Sequence, residues 1–298
     1  MGFIDLKKRG WQWGILVFVS FVWGASFILM KKGLASYTPM QVGMMRIFFA
    51  SLFLLPFVFK RIKKFSKELL KPLLIVAFLG NLFPALLFAL AQTRVDSSMA
   101  GMLNAMFPII VVIIGGLFYG SGTEKHKIIG IIIAFLGSIG ILLGGTDGIG
   151  GFDLYALFIL LATVLYAFSL NEMKHNMQGV DGISVIIFSF MIIGPIAGVY
   201  LLFSDFSGAM TTPNYLENLG YIILLALGGS AIAVSLFYWL TAFVDISFVS
   251  LTTYIIPIFA IAWGIGDGEI ITLEQVFFMV VVFFGIYLVN KRRNLSSI

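Results

Sequence analysis

Cysteine is absent from the 298 residues, and the two histidines stand at 126 and 175. No disulfide framework, thiol redox couple or thiolate metal site can be built, and imidazole ligation has almost nothing to work with. Neither a metal nor a cofactor is therefore expected. Charge is scarce as well: Asp, Glu, Lys and Arg make up 11% of the chain, where a soluble domain carries about 25%. Hydrophobic residues reach 60% and the mean hydropathy is +1.06. A surface so poor in charge must face lipid, so the chain reads as an integral membrane protein with no sizeable soluble domain.

A membrane-spanning helix takes about 20 apolar residues. Nine charge-free stretches fit, at 10–30, 72–93, 97–123, 128–146, 154–171, 182–204, 218–244, 246–266 and 275–290, and a tenth at 42–59 is broken only by Arg46. The expected fold is all-α with ten spans. Fifteen of the nineteen Lys and Arg fall on one side: Lys7, Lys8, Arg9, the Lys60–Lys71 loop, Lys125, Lys127, Lys174 and Lys291, Arg292, Arg293. The positive-inside rule makes that side, with both termini, cytoplasmic. The net charge of +5 is thus a topology signal, and no nucleic-acid partner is expected.

An internal repeat shows at an offset of 149, where Val95-Asp96 falls on Val244-Asp245, Ser98 on Ser247, Pro108 on Pro257 and Gly115 on Gly264. Spans 1 and 6 align at 143, with Ser26 on Ser169 and Met30-Lys31 on Met173-Lys174. Five spans per half is an odd number, so residues 1–148 and 149–298 would form two repeats of opposite orientation. Inverted repeats are the architecture behind alternating access in transporters.

The chain resembles the EamA-type permeases of the drug/metabolite transporter superfamily along essentially its whole length. The matching residues are Trp23-Gly24-Ala25-Ser26-Phe27 followed by Lys31, then Arg46, Ala91 seventeen residues before Pro108, Pro257, and Gly268-Glu269 before the last span. In place of the family's Gly-Glu pair after span 4 stand Gly120-Ser121, with Glu124 further on, and Gln92 replaces a usual Leu. The resemblance implies export or exchange of small metabolites through a central cavity lined mainly by spans 1, 3, 4, 6, 8 and 9.

Polar groups inside spans face the bundle interior or a water-filled cavity. Helical spacing puts Asn81, Phe88 and Gln92 on one face of span 3, and Gly101, Asn104 and Pro108 on one face of span 4; Ser250, Thr253 and Pro257 repeat the latter in span 9. Ser235 and Tyr238 in span 8, Trp23 and Ser26 in span 1, Tyr166 and Ser169 in span 6, and Tyr254 complete a candidate substrate-binding ring with Arg46, the one ionisable side chain well within a span. For each Ser or Thr the competing role is helix packing, for the amides interhelical bonding, and for Arg46 snorkelling to the interface. Pro108 and Pro257 are hinge candidates, with Pro84 and Pro195 as further mid-span prolines, and Gly140-x-x-x-Gly144 is read as internal packing rather than dimerisation.

No Asp or Glu lies deep in a span, which removes a cation-binding carboxylate and an obvious proton relay. Neutral, zwitterionic or anionic substrates follow, amino acids first, and export by a secondary transporter is the expected activity. A sugar-phosphate or nucleotide-sugar exchanger is the alternative, and an intramembrane enzyme or a membrane scaffold comes from other classes. The enzyme would have only Ser and Tyr to work with, so catalysis is not expected. No phosphate-binding Gly-Lys-Ser/Thr loop occurs, so no ATP-binding subunit is expected; the partners are a small metabolite and the lipid bilayer. The short tails and strong basic bias suit a bacterial inner membrane, and a monomer or weak homodimer is expected.

Overall fold

The structure is a computed structural model that describes residues 8–62, 65–120, 125–143, 153–241, 243–244, 246–249 and 251–290. Lys7, Lys63, Lys64, Ser121, Glu124, Gly144, Asp245, Ser250, Lys291, Arg292, Arg293 and the 148/149 repeat boundary lie outside the described residues. Among those described, the regular structure is helical, without strands. In chain order the helices are α1 (Arg9–Leu34), α2 (Pro39–Val58), α3 (Leu70–Ala77), α4 (Phe83–Ala91), α5 (Ser97–Asn104), α6 (Phe107–Phe118), α7 (Lys125–Leu143), α8 (Ala156–Asn176), α9 (Gly182–Leu202), α10 (Ser207–Met210), α11 (Tyr215–Leu224), α12 (Ala233–Thr241), α13 (Ile246–Val249), α14 (Thr252–Gly266) and α15 (Leu273–Asn290).

Eight helical runs are long and apolar enough to cross a membrane; of the other two expected spans, the fifth is α7, described only as far as Leu143, and the ninth holds the shorter apolar helix Thr252–Gly266. The charge-free stretch at 246–266 is two helices, α13 and α14, because the chain turns between them with Leu251 N–H bonded to Phe248 C=O. The 15 residues of α14 rise about 22 Å, less than the about 30 Å hydrocarbon core. Apolar residues on both sides of the break hide it from hydropathy. Span 4 breaks likewise, at Ala105-Met106 between α5 and α6. Pro108 is the second residue of α6, where its missing N–H costs nothing, so it starts a helix rather than bending one. Pro257 lies inside α14.

Spans 3 and 8 each contain a π-helical segment, Phe78–Leu82 between α3 and α4 and Leu225–Ile232 between α11 and α12. The offset of 149 carries the first into the second and Asn81 onto Ser230. Two close contacts obey the same relation. A Cβ on Gly80 would stand 2.2 Å from Ser169 Oγ, and one on Gly229 would stand 2.7 Å from Ser26 Oγ. Gly80 and Gly229 are related at 149, Ser26 and Ser169 at 143. The helix pairings follow suit: α1 packs on α14 and α8 on α6, while α2 pairs with α9 and α7 with α15.

Helices α7 and α15 touch through glycines. A Cβ on Gly285 would lie 2.6 Å from the Ala134 backbone N and from the Gly130 carbonyl oxygen, and one on Gly140 would run into the Phe278 ring. The Gly140 surface is spent inside the chain, where small residues let membrane helices approach closely.

Candidate functional site

The interior group forms around Arg46, the eighth residue of α2. Its Nε donates to Ser230 Oγ at 2.9 Å, and Tyr166 of α8 is within electrostatic reach. The hydroxyl arrives there because the π turn in span 8 brings Ser230 inward, and it is buried. Arg46 is half-buried and retains accessible surface. Among the described residues no carboxylate pairs with it: the ion pairs present are Lys31–Asp267, Lys31–Glu269, Lys32–Asp267 and Arg61–Asp181.

Aromatic rings extend from this point. Phe88 of α4 lies 6.1 Å from Tyr166 and 5.8 Å from Phe27 of α1, and Phe107 at the start of α6 lies 6.2 Å from Tyr166. Trp23, the mate of Tyr166 at the 143 offset, donates Nε1–H to the Gly229 carbonyl at 3.0 Å and packs on Phe237. Half-buried Asn104 ends α5 at the break in span 4, and its amide makes no side-chain hydrogen bond among the described residues.

The other sequence candidates have local duties. Gln92 donates to the Phe27 carbonyl at 2.9 Å and leaves its own Oε1 buried and unpaired. Asn81, within the π segment, donates to the Val76 carbonyl five residues back at 3.0 Å. Ser26 bonds Val22 C=O in its own helix, and Ser169 fills the space at Gly80. Tyr238 packs over Gly182 with its hydroxyl on Met173 Sδ, and Tyr254 faces Phe283 of α15. Ser235 and Thr253 are half-buried and make no side-chain hydrogen bond among the described residues, so they stand at the margin of the group.

A second polar assembly joins the halves at the end of the bundle that holds the α1 C-terminus. Gly268 has φ +87°, the left-handed conformation glycine permits, and closes α14 with Glu269 N–H bonded to Gly264 C=O and Gly268 N–H to Ile265 C=O. This turn aims the Glu269 carboxylate at the start of α5. Oε1 accepts from Ser97 N–H at 2.9 Å, Ser97 Oγ at 2.7 Å and Lys31 Nζ at 2.7 Å, and Oε2 accepts from Ser98 N–H at 2.9 Å. The helix is thus capped from another part of the chain, its own Asp96 making no cap bond. Burial pushes the Glu269 carboxyl up, but Lys31 and the Ser98 and Ser97 donors outweigh it and hold it at about 2. Asp96 beside it is raised, by burial and then by the Glu269 charge. Asp267 bonds Lys32 and, at 3.1 Å, Lys31.

At the opposite end Asp181 caps α9 by accepting from Ser184 N–H at 3.0 Å and pairs with Arg61 in the turn that follows α2. Both partners are partly exposed. Asp181→Ala should therefore cost about 1 kcal/mol, mostly as a lost cap, and Arg61→Ala less than that. Thermal unfolding of the two single variants and the double variant measures the difference. Tyr119, just after α6, donates to Glu172 in the last turns of α8 at 2.9 Å.

The sequence reading missed Ser230, the Asp267–Glu269–Ser97 assembly and Phe107. Ser230 was reachable, being the mate of Asn81 at the offset already found; the capping role of Glu269 was not, since its partners are 171 and 172 residues away. Two shallow clefts, about 380 and 420 Å³, open beside Lys32 and Asn214 and beside Gln41 and Asp205. No sequence candidate lines either.

The profile of the EamA-like transporter family matches residues 11–143 and 153–291. The chain is 26% identical over 293 residues to YedA, an uncharacterized inner membrane transporter of Escherichia coli K12, covering 95% of this chain and 91% of the relative. It is 26% identical over 290 residues to the uncharacterized transporter YvbV of Bacillus subtilis 168, covering 93% and 91%. A solved crystal structure shares the fold with a TM-score of 0.60 at 13% identity, covering 94% of this chain and 96% of that one.

Proposed function

The chain belongs to the EamA-like transporter family, a multi-pass membrane transporter built of two repeats, and on that premise we propose that it exports small metabolites such as amino acids by alternating access. The observation that carries this reading is the accessible, carboxylate-free Arg46 inside the bundle, where spans of both halves meet. A charge held within a membrane protein is costly and marks a substrate path by default. The substrate site is Arg46, Tyr166, Trp23 and Asn104 with the surrounding rings, and the two halves rock about the span-4 break just before Pro108 and about Pro257 inside α14. With the basic residues cytoplasmic, the Lys31–Glu269 assembly closes the external end and Arg61–Asp181 the cytoplasmic end of a bacterial inner-membrane protein. The sugar-phosphate alternative is weaker, because Lys31 and Lys32 are engaged by Asp267 and Glu269, leaving Arg46, among the described residues, as the cation well within a span.

A chain free of cysteine is ready for single-cysteine labelling. Asn104→Cys should react with a membrane-impermeant maleimide in inside-out vesicles, and the external label should reach it only when the outer assembly opens. A residue unreactive from both sides in folded protein would sink the proposed path. Efflux of preloaded amino acids from proteoliposomes tests the substrate, and loss of amino acids no faster than from empty liposomes would remove them.

A further inference from the structure

Among the described residues the side-chain atoms that are both sealed and unpaired are Gln92 Oε1 and Ser189 Oγ. The terminal nitrogens of Arg46 differ from these: they too have no hydrogen-bond partner among the described residues, but they are not sealed and keep accessible surface. Only Nε is spoken for, by Ser230. This leaves the outer edge of the guanidinium, a planar fork of parallel donors, presented with its full charge. Such a fork matches a carboxylate two bonds at a time, whereas an ammonium would act as a point charge.

From this geometry we propose that Arg46 anchors the carboxylate of substrates that carry a single negative charge. The inference rests on the transport reading above and names the substrate class of that site. Ser230 sets the fork by holding Nε, so it is a positioning residue. Tyr166 adds a hydroxyl that has no partner among the described residues. The rings of Phe88 and Phe107 lie against Tyr166 and give the rest of the substrate an apolar wall. One cation balances one anion; a phosphate dianion would need a second, and Lys31 and Lys32 are committed to carboxylates at the bundle end. The substrates are therefore monocarboxylates or amino acids with an apolar side.

The test compares matched pairs differing only in the charged group: phenylacetate with phenylacetamide, and leucine with leucinamide. Each is added at about 10 mM to purified protein in lipid nanodiscs, and thermal unfolding is followed, since a ligand of the native state raises the midpoint by mass action. The acids should raise it and the amides should not. Arg46→Gln should weaken acid binding at least tenfold, Arg46→Lys should recover part of it, and Ser230→Ala should weaken it several-fold without changing the preference for acid over amide. Equal effects of acid and amide, equal binding to Arg46→Gln, or no stabilisation by either acid would overturn the anchor. Should Arg46→Gln not fold, the acid–amide comparison on the native protein and the Ser230→Ala result decide. Labelling of Asn104→Cys separates the two failures: a labelled residue with no acid binding defeats the anchor alone, and an unlabelled one defeats the transport path with it.

Discussion

Glu269→Gln is expected to lower the thermal midpoint by about 5 °C and to loosen the bundle at the Lys31 end. The carboxylate accepts four hydrogen bonds, one of them from Lys31. An amide of the same shape can replace the acceptor at one oxygen only, so a buried N–H of α5 is left facing an NH2 group. Breaking a buried ion pair by removing one partner costs about 3 to 5 kcal/mol; here Lys31 keeps Asp267 and is itself partly exposed, so about 2 kcal/mol is the better figure. At about 2 to 4 °C per kcal/mol for a chain of this order of size that gives the stated shift. The pH dependence has a definite sign. Glu269 titrates at about 2 in the folded protein against an ordinary 4.5, so its contribution is complete above pH 4.5 and disappears as the pH falls through 2. The native protein should lose its advantage over the Gln variant across that window, and parallel melting curves at pH 7 and pH 3 check it. Under the transport reading the same variant should raise labelling of Asn104→Cys from outside; unchanged labelling would mean that the assembly is structural only.

Gly285→Ala is expected to cost about 2 to 3 kcal/mol, although it adds a single methyl group. That methyl would sit 2.6 Å from a backbone nitrogen and a backbone oxygen of α7, atoms that no rotamer change can move. The two helices must separate along their contact, and overpacking of this kind costs about 1 to 3 kcal/mol. Gly266→Ala is the control, since a Cβ there meets nothing within 4 Å. A Gly285→Ala protein as stable as that control would show that α7 and α15 are not the tightly joined pair described.

How far the sequence reached differs from residue to residue. The 149 offset, read from Asp96, Pro108 and their mates, also governs the two π segments and the Gly80–Ser169 and Gly229–Ser26 contacts, so the weaker 143 alignment of spans 1 and 6 has a counterpart in packing. The helical face drawn through Phe88 and Gln92 is the one that meets Phe27 of α1. Asn81 lies in the π segment of span 3 and bonds within its own helix, to the Val76 carbonyl. Gln92 and Ser26 have the bonding roles set beside their substrate roles at the outset, and Arg46 is not bonded out to the interface. Eight of the ten expected spans are long apolar helical runs and α7 is described only to Leu143, while the ninth is shortened by a break between apolar residues that leaves no trace in hydropathy.

What the sequence determined by itself is membership of the membrane, helix in place of strand, the repeat, and Arg46 as the charge to explain. Each of these depends on composition or on residues close in the chain: lipid demands apolar side chains and backbone bonds closed within the segment. The tertiary structure alone decided the partners. Arg46 meets Ser230 across 184 residues, Trp23 meets Gly229 across 206, and Glu269 caps α5 across 172. Within an apolar bundle any polar group gains by finding another, and the packing of the helices chooses which.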